Sequence, residues 1–335
     1  MPALYLLALA ALLSALLTGL VTHYARRIGL LDHPGERSSH TNPTPRGGGA
    51  GWILAFLISL GVYLLTVDAA RDSVAGSAAM IGGLVVLAML GWWDDHHDLS
   101  ARLRLLVQFL VGGLFIASLV SPDWIPSWPM ATLGLLFLVW MINLYNFMDG
   151  SNGMAAAQGV FGFLLSAWLF APGSQTAAVV CLMMAGACAG FLPWNLGKAR
   201  VFMGDVGSLA LGFMQGGILV YGVADGLISV PVALLVPAVF LADATLTLVL
   251  RVMKGERWYN AHRQHLYQRL IASGWTHARV LLVYQAVNLL VVVPGILIGV
   301  KNPEWAWPTV LAVGSVLGLG WYLSIIKIGV LAHAR

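Results

Sequence analysis

The chain has 335 residues, of which 59% are hydrophobic and 10% charged, and its mean hydropathy is +0.83. Soluble chains carry about 25% charged residues, so this composition excludes an ordinary soluble fold and a disordered chain alike. The apolar runs are unbroken and not alternating, which excludes a β-barrel, and a net charge of +4 does not point to nucleic acid.

The first run, Ala3–Val21, has no basic residues before it and Arg26 and Arg27 after it. That is the pattern of a retained span and not of a cleaved signal. Further runs follow at Ala50–Val67, Ala75–Trp93, Leu103–Val120, Met130–Ile142, Met154–Phe170, Thr176–Pro193, Ser208–Val223, Leu227–Leu250, Val280–Val300 and Trp307–Ile326. At about 20 residues per crossing, these predict an all-α polytopic membrane protein of about eleven transmembrane helices. Residues 1–335 form one integral-membrane domain. The fifth run is short unless it continues towards Tyr145. Cys181 and Cys188 stand about 10 Å apart along one helix, too far for a disulfide.

With the gaps between runs numbered alternately, sixteen of the eighteen lysines and arginines fall on one side; Arg71 and Lys301 are the exceptions. The richer side is cytoplasmic, which predicts the N-terminus outside and the C-terminus cytoplasmic. All nine histidines lie on that side too. Chemistry is therefore expected at the cytoplasmic ends of the helices.

Five loops on that side carry polar groups. Residues 33–52 read HPGERSSHTNPTPRGGGAGW. Pro43 and Pro45 hold the chain extended, and three glycines after Arg46 would let backbone N–H groups approach an anion; a flexible helix start is the plainer reading. Residues 92–104, WWDDHHDLSARLR, cluster Asp94, Asp95 and Asp98 at a helix C-terminus. The helix dipole disfavours acids there, so a metal or a cationic partner is implied, unless Arg102 and Arg104 merely neutralise an acidic turn.

In NLYNFMDGSNGMAAAQG, residues 143–159, Asn143, Asn146, Asp149 and Asn152 recur every third position. They offer oxygen ligands and amide donors between apolar helices. In WNLGKARVFMGDVGSLALG, residues 194–212, Asp205 lies between glycines at a helix start that Ser208 can cap. That placement suits a metal–phosphate complex. In RWYNAHRQHLYQR, residues 257–269, His262 and His265 are spaced to share a helical face. The nearby arginines favour an anion over zinc. Asp243, inside the ninth run, is either functional or the partner of Arg251.

Taken in order, PTPRGGG, DDHHD, NLYNFMDGSNG, FMGDVGS and HRQHLYQR resemble the polyprenyl-phosphate N-acetylhexosamine-1-phosphate transferases of glycosyltransferase family 4. The resemblance covers nearly the whole chain and is nearest to the bacterial enzymes that begin O-antigen or related surface glycans. It implies transfer of a sugar 1-phosphate from a UDP-N-acetylhexosamine donor to a polyprenyl-phosphate acceptor with Mg²⁺, releasing UMP, in the bacterial inner membrane. HRQH stands where the peptidoglycan-precursor branch has consecutive histidines, which argues against that branch.

The resemblance places Mg²⁺ on Asp205 and Asn146, uracil on Phe202 and Asn152, and the acceptor phosphate near Asp94 and Asp95. It puts Arg263 against the donor, supported by His262 and His265. Arg46, Asn143 and Asp149 complete the expected substrate contacts. Attack by the lipid phosphate and a covalent aspartyl intermediate both remain open, as does a homodimer. A secondary transporter is the competing function, but transporters place ionisable groups near the midplane, where this chain has only Asp243. A silent scaffold would not need acids in four loops.

Overall fold

The computed structural model describes residues 3–32, 43–67, 78–97, 99–120, 127–256 and 262–333. Asp98 and Arg71, named above, lie outside the described residues, as do Arg37, Arg257 and Arg335 of the basic count and positions 33–42 of the first loop.

The molecule is almost wholly helical. The long elements are α1 (Ala3–Arg27), α2 (Gly49–Thr66), α3 (Ala78–His97), α4 (Ala101–Ser118), α5 (Trp128–Met148), α6 (Met154–Phe170), α7 (Gln175–Asn195) and α8 (Gly204–Ala224). Then come α9 (Val230–Leu235), α10 (Ala238–Met253), α11 (Leu266–Ala272), α12 (His277–Val287), α13 (Val293–Lys301) and α14 (Ala306–His333). Among the described residues, nine helical stretches are long and apolar enough to cross a membrane, and α6 is a shorter apolar helix. The protein is thus a polytopic membrane protein, as its composition requires.

Three elements differ from their expected form. The fifth is not short: α5 continues through Tyr145 to Met148, because Asn143 and Asn146 are accommodated by neighbouring helices. The ninth run is broken in two between Leu235 and Ala238. Pro237 has no N–H to continue the helical ladder, and α10 restarts with Leu241 N–H donating to Pro237 O at 2.9 Å. The tenth run passes from α12 to α13 through a π-helical turn, Asn288–Val292, just ahead of Pro294, whose ring nitrogen cannot donate.

Helices in a membrane gain little from apolar burial and associate through small residues and interhelical hydrogen bonds. α1 and α7 do both. Gly186 and Gly190 lie against the α1 backbone at Leu7 and Ala11, where a Cβ would collide. Ser14 Oγ donates to Ala187 O at 2.6 Å and Trp194 Nε1 to Ala15 O at 2.9 Å. α8 occupies the centre, buried along nearly its whole length.

A short antiparallel pair joins β1 (Leu31–Asp32) to β2 (Thr44–Pro45), with Leu31 opposite Pro45. The prolines do hold this segment extended. The pair sits at the end of the bundle that collects the C-termini of α1, α3, α5 and α7 and the N-termini of α2, α4, α6 and α8.

Candidate active site

At this end, α3 and α8 meet closely because Gly91 packs on the Asp205 backbone, where any side chain would collide. The contact delivers Asp95 to the start of α8. Its Oδ1 accepts from Asp205 N–H at 3.1 Å and its Oδ2 from Val206 N–H at 3.2 Å. Asp95 therefore caps α8 from another helix, and the dipole that disfavours it in α3 is opposed by the positive end of α8. The expected cap by Ser208 does not form. Gly204, at φ +74°, lets the helix begin a turn earlier, and Ser208 Oγ instead accepts from Asn146 Nδ2 at 3.0 Å.

Asp205 is held from two further helices. Asn146 Nδ2 donates to its Oδ1 at 2.8 Å, and Arg104 Nη1 lies 3.4 Å from its Oδ2. The same Arg104 nitrogen pairs with Asp94 Oδ2 at 2.7 Å, while Asp94 Oδ1 accepts from Leu99 N–H at 2.6 Å. Asp94 is thus a buried anchor for Arg104. For Asp94 the plainer reading holds, since Arg104 neutralises it, and Asp95 meets a helix terminus.

The first and fourth loops are zipped together by backbone. Phe202 N–H donates to Pro45 O at 2.8 Å, Gly48 N–H to Phe202 O at 2.9 Å, and Gly49 N–H to Met203 O at 2.9 Å. This corrects the expectation that these glycines present N–H groups to an anion: the Gly48 and Gly49 donors are spent on carbonyls. The glycines serve close packing, since a Cβ on Gly49 would meet the Gly207 backbone. Arg46 stays at the site, with its Nε buried and without a hydrogen-bond partner.

These elements enclose a cleft of about 450 Å³. Eight of the predicted residues line it: Arg46, Asp95, Asn146, Asp149, Asn152, Phe202, Asp205 and Arg263. Asn152 is positioned by donating through Nδ2 to Gly197 O at 2.6 Å. Asp149, just past the end of α5, is pushed well above the ordinary carboxyl range by burial first and then by the Asp205 and Asp95 carboxylates.

Four predicted residues are not in the walls of the cleft. Asp94 lies behind Arg104. Asn143 donates through Nδ2 to Gln108 Oε1 at 2.6 Å and to Val139 O at 2.8 Å, tying α5 to α4. His262 and His265 precede α11 and do not share a helical face as expected, although their rings still lie 4.8 Å apart. His265 is buried and stacks on Phe147 and Tyr267. Burial, followed by neighbouring positive charge, lowers the pKa of His262 to about 4; burial also lowers that of His265.

The cleft holds residues that the motifs did not single out. Gln268 and Ile271 come from α11; Gln268 was within reach, one turn beyond His265 in HRQHLYQR. Asp32 carries no local signal, since only the β1–β2 pairing brings it here. Asp243 is not paired with Arg251, whose Nη1 binds Glu256 at 2.8 Å. Its carboxylate instead caps α11, accepting from Leu266 N–H at 2.7 Å and Tyr267 N–H at 3.3 Å, with Tyr284 Oη donating at 2.7 Å.

Crowded carboxylates and a carboxamide are the donor set of a hard divalent cation. Among the described residues, no group of three or more histidine, cysteine or acidic side chains is arranged to hold a metal ion. An ion of the magnesium kind takes one or two carboxylates and completes its shell with water and phosphate oxygens.

The profile of glycosyl transferase family 4 matches residues 77–223. A decaprenyl-phosphate N-acetylglucosaminephosphotransferase of Mycolicibacterium smegmatis is 31% identical over 321 residues, covering 84% of this chain and 78% of that protein. An undecaprenyl-phosphate alpha-N-acetylglucosaminyl 1-phosphate transferase of Yersinia pestis is 28% identical over 84% of this chain and 80% of its own length. A phospho-N-acetylmuramoyl-pentapeptide-transferase of Thermosynechococcus vestitus reaches 36% identity, but over 52% of this chain and 51% of its own.

Proposed function

The chain belongs to the polyprenyl-phosphate N-acetylhexosamine-1-phosphate transferases of glycosyl transferase family 4, and on that premise we propose that it moves an N-acetylhexosamine 1-phosphate from a UDP-sugar to a polyprenyl phosphate and releases UMP. The observation that carries this reading is the cleft itself. Four polar acceptors, Asp95, Asn146, Asp149 and Asp205, share it with Arg46 and Arg263 at the ends of apolar helices. A water-soluble nucleotide and a membrane-bound lipid phosphate can both reach such a place. The unpartnered Arg46 Nε suits a phosphate oxygen.

In this reading the acceptor phosphate attacks the donor β-phosphorus, and the bond to the UMP oxygen breaks. Arg46 and Arg263 bind and orient the phosphates. Phe202 offers a face to uracil, and Asn152 hydrogen bonds to its edge. Asp95 keeps α8 in place, and Asp94 does the same for Arg104. Asp205 and Asn146 would hold a Mg²⁺, and such an ion would supply positive charge to the phosphate oxygens.

The reading counts eleven crossings, taking α9 with α10 and α12 with α13, and sets the cleft on the cytoplasmic face of a bacterial inner membrane; the lysines and arginines gathered in the loops at that end support it. The HRQH loop and the partial match to the pentapeptide transferase favour the surface-glycan branch. The test is UMP release by purified protein with undecaprenyl phosphate, Mg²⁺ and a panel of UDP-sugars. Release requiring both the lipid and a UDP-N-acetylhexosamine is expected. A folded protein that releases no UMP from any of these donors overturns the proposal, and efficient use of UDP-muramoyl-pentapeptide overturns the branch.

A further inference from the structure

A second cavity, of about 560 Å³, opens behind α11 between α10, α12 and α14. Its composition changes along the helices. At the end nearest the cleft it is polar and basic: Ser273 follows α11, Arg279 lies in the first turn of α12, and Ser324 and Lys327 lie far along α14. Arg279 and Lys327 are exposed, and the Arg279 guanidinium rests 3.9 Å over the Trp275 ring. Moving away from that end, the walls become Val283, Val287 and Val291 on one side and Val316 and Leu317 on the other. From Arg279 to Val291 is about 18 Å of helix rise.

Among the described residues, the acid in this cavity forms no ion pair with either cation. Asp243 is buried and already accepts from two backbone N–H groups and from Tyr284 Oη, with Thr247 Oγ1 at 3.2 Å and Trp321 Nε1 at 3.4 Å. What remains unmet is an apolar channel along membrane helices, ending in two cations; the Ser273 and Ser324 hydroxyls beside them already donate to Leu270 O and Gly320 O at 2.7 Å. We propose that this groove binds an anionic bilayer phospholipid, with an acyl chain along the α12 and α14 valines and the phosphate between Arg279 and Lys327. Basic pockets between transmembrane helices select anionic headgroups in this way. A zwitterionic lipid carries the same chains, but its own cation opposes the arginine and lysine.

The groove and the cleft share α11. That helix presents Gln268, Ile271 and Ala272 to the cleft and Leu266 and Leu270 to the groove. A chain seated in the groove therefore supports, from behind, the wall that follows Arg263. This coupling rests on the transfer reaction proposed above; the lipid site does not, and it is read without turnover.

The experiment uses the full chain in nanodiscs of phosphatidylglycerol or phosphatidylcholine, with lipid retention after extraction measured by native mass spectrometry. One phosphatidylglycerol per chain should be retained on the order of tenfold better than phosphatidylcholine. Arg279→Gln with Lys327→Gln should abolish that preference without changing the melting temperature in phosphatidylcholine. A second variant fills the groove. Gly320 lines it, and a Cβ there meets nothing within 4 Å, so Gly320→Leu should fold and lose the retained lipid of either kind. Equal retention of the two lipids, or an unchanged preference in the double variant or in Gly320→Leu, overturns the site. Stoichiometric displacement by polyprenyl phosphate would also overturn it, by making the groove the acceptor's.

Discussion

Asp95 and Asp243 are both buried carboxylates on apolar helices, and each caps the start of another helix. Around Asp243 the donors keep coming: Tyr284, Thr247 and Trp321 surround it, and no other acid among the described residues lines its groove. Around Asp95 the donors are two backbone N–H groups, and the next neighbours in the cleft are Asp149 and Asp205. An ionisable residue inside a membrane protein invites a functional reading. The contrast shows what that reading should rest on. A saturated carboxylate holds structure together, whereas carboxylates crowded in an open cleft beside arginines retain an unmet demand for positive charge.

Variants at the two places should separate activity from stability. Asp205→Asn is expected to cost the most. It keeps the shape but removes the charge that Asn146 and Arg104 position, so turnover should fall by at least about 10²–10³-fold while the melting temperature in detergent hardly moves. UMP release measured at limiting Mg²⁺ checks this, and substantial turnover by a folded variant would remove Asp205 from the chemistry. Arg263→Ala should lower kcat/KM by the equivalent of about 2–5 kcal/mol if it leaves a desolvated phosphate charge unpaired. Near-wild-type kinetics would take that arginine out of the donor site.

The converse is expected of Asp243→Asn. The amide cannot accept on both atoms, so at least one of the α11 N–H groups loses its partner, at a cost of about 1–3 kcal/mol of stability. The activity of each folded molecule should stay within a few-fold of wild type. Thermal unfolding and an active-site titration read the two quantities separately. A stable but inactive Asp243→Asn protein would erase the distinction drawn here.

The smallest expected effect concerns pH. The His262 pKa lies near 4 in the folded protein and near 6.5 when unfolded, so between these values the unfolded chain binds more protons. Its contribution to stability is therefore full above about pH 6.5 and declines as the pH falls towards 4. His262→Gln should lose less melting temperature than wild type between pH 7.5 and pH 5. An identical loss would show that this imidazole is not held neutral by burial.

The sequence by itself determined the membrane class, the position of nearly every long helix and most of the cleft. Hydrophobic runs and loop charge are local properties, and eight of the cleft residues stood in motifs legible one loop at a time. The tertiary structure decided what those residues do to each other. Asp94 and Asp95 are neighbours in the chain, yet one anchors Arg104 while the other caps α8, because successive side chains on a helix point about 100° apart and meet different partners. The glycines after Arg46 looked like an anion nest, and pairing with Phe202 and Met203 consumed two of their donors. Asp32 reached the cleft only through a two-residue strand. Each of these depends on which segment lies opposite, and a hydrogen-bond partner more than a hundred positions away leaves no mark on local composition or period.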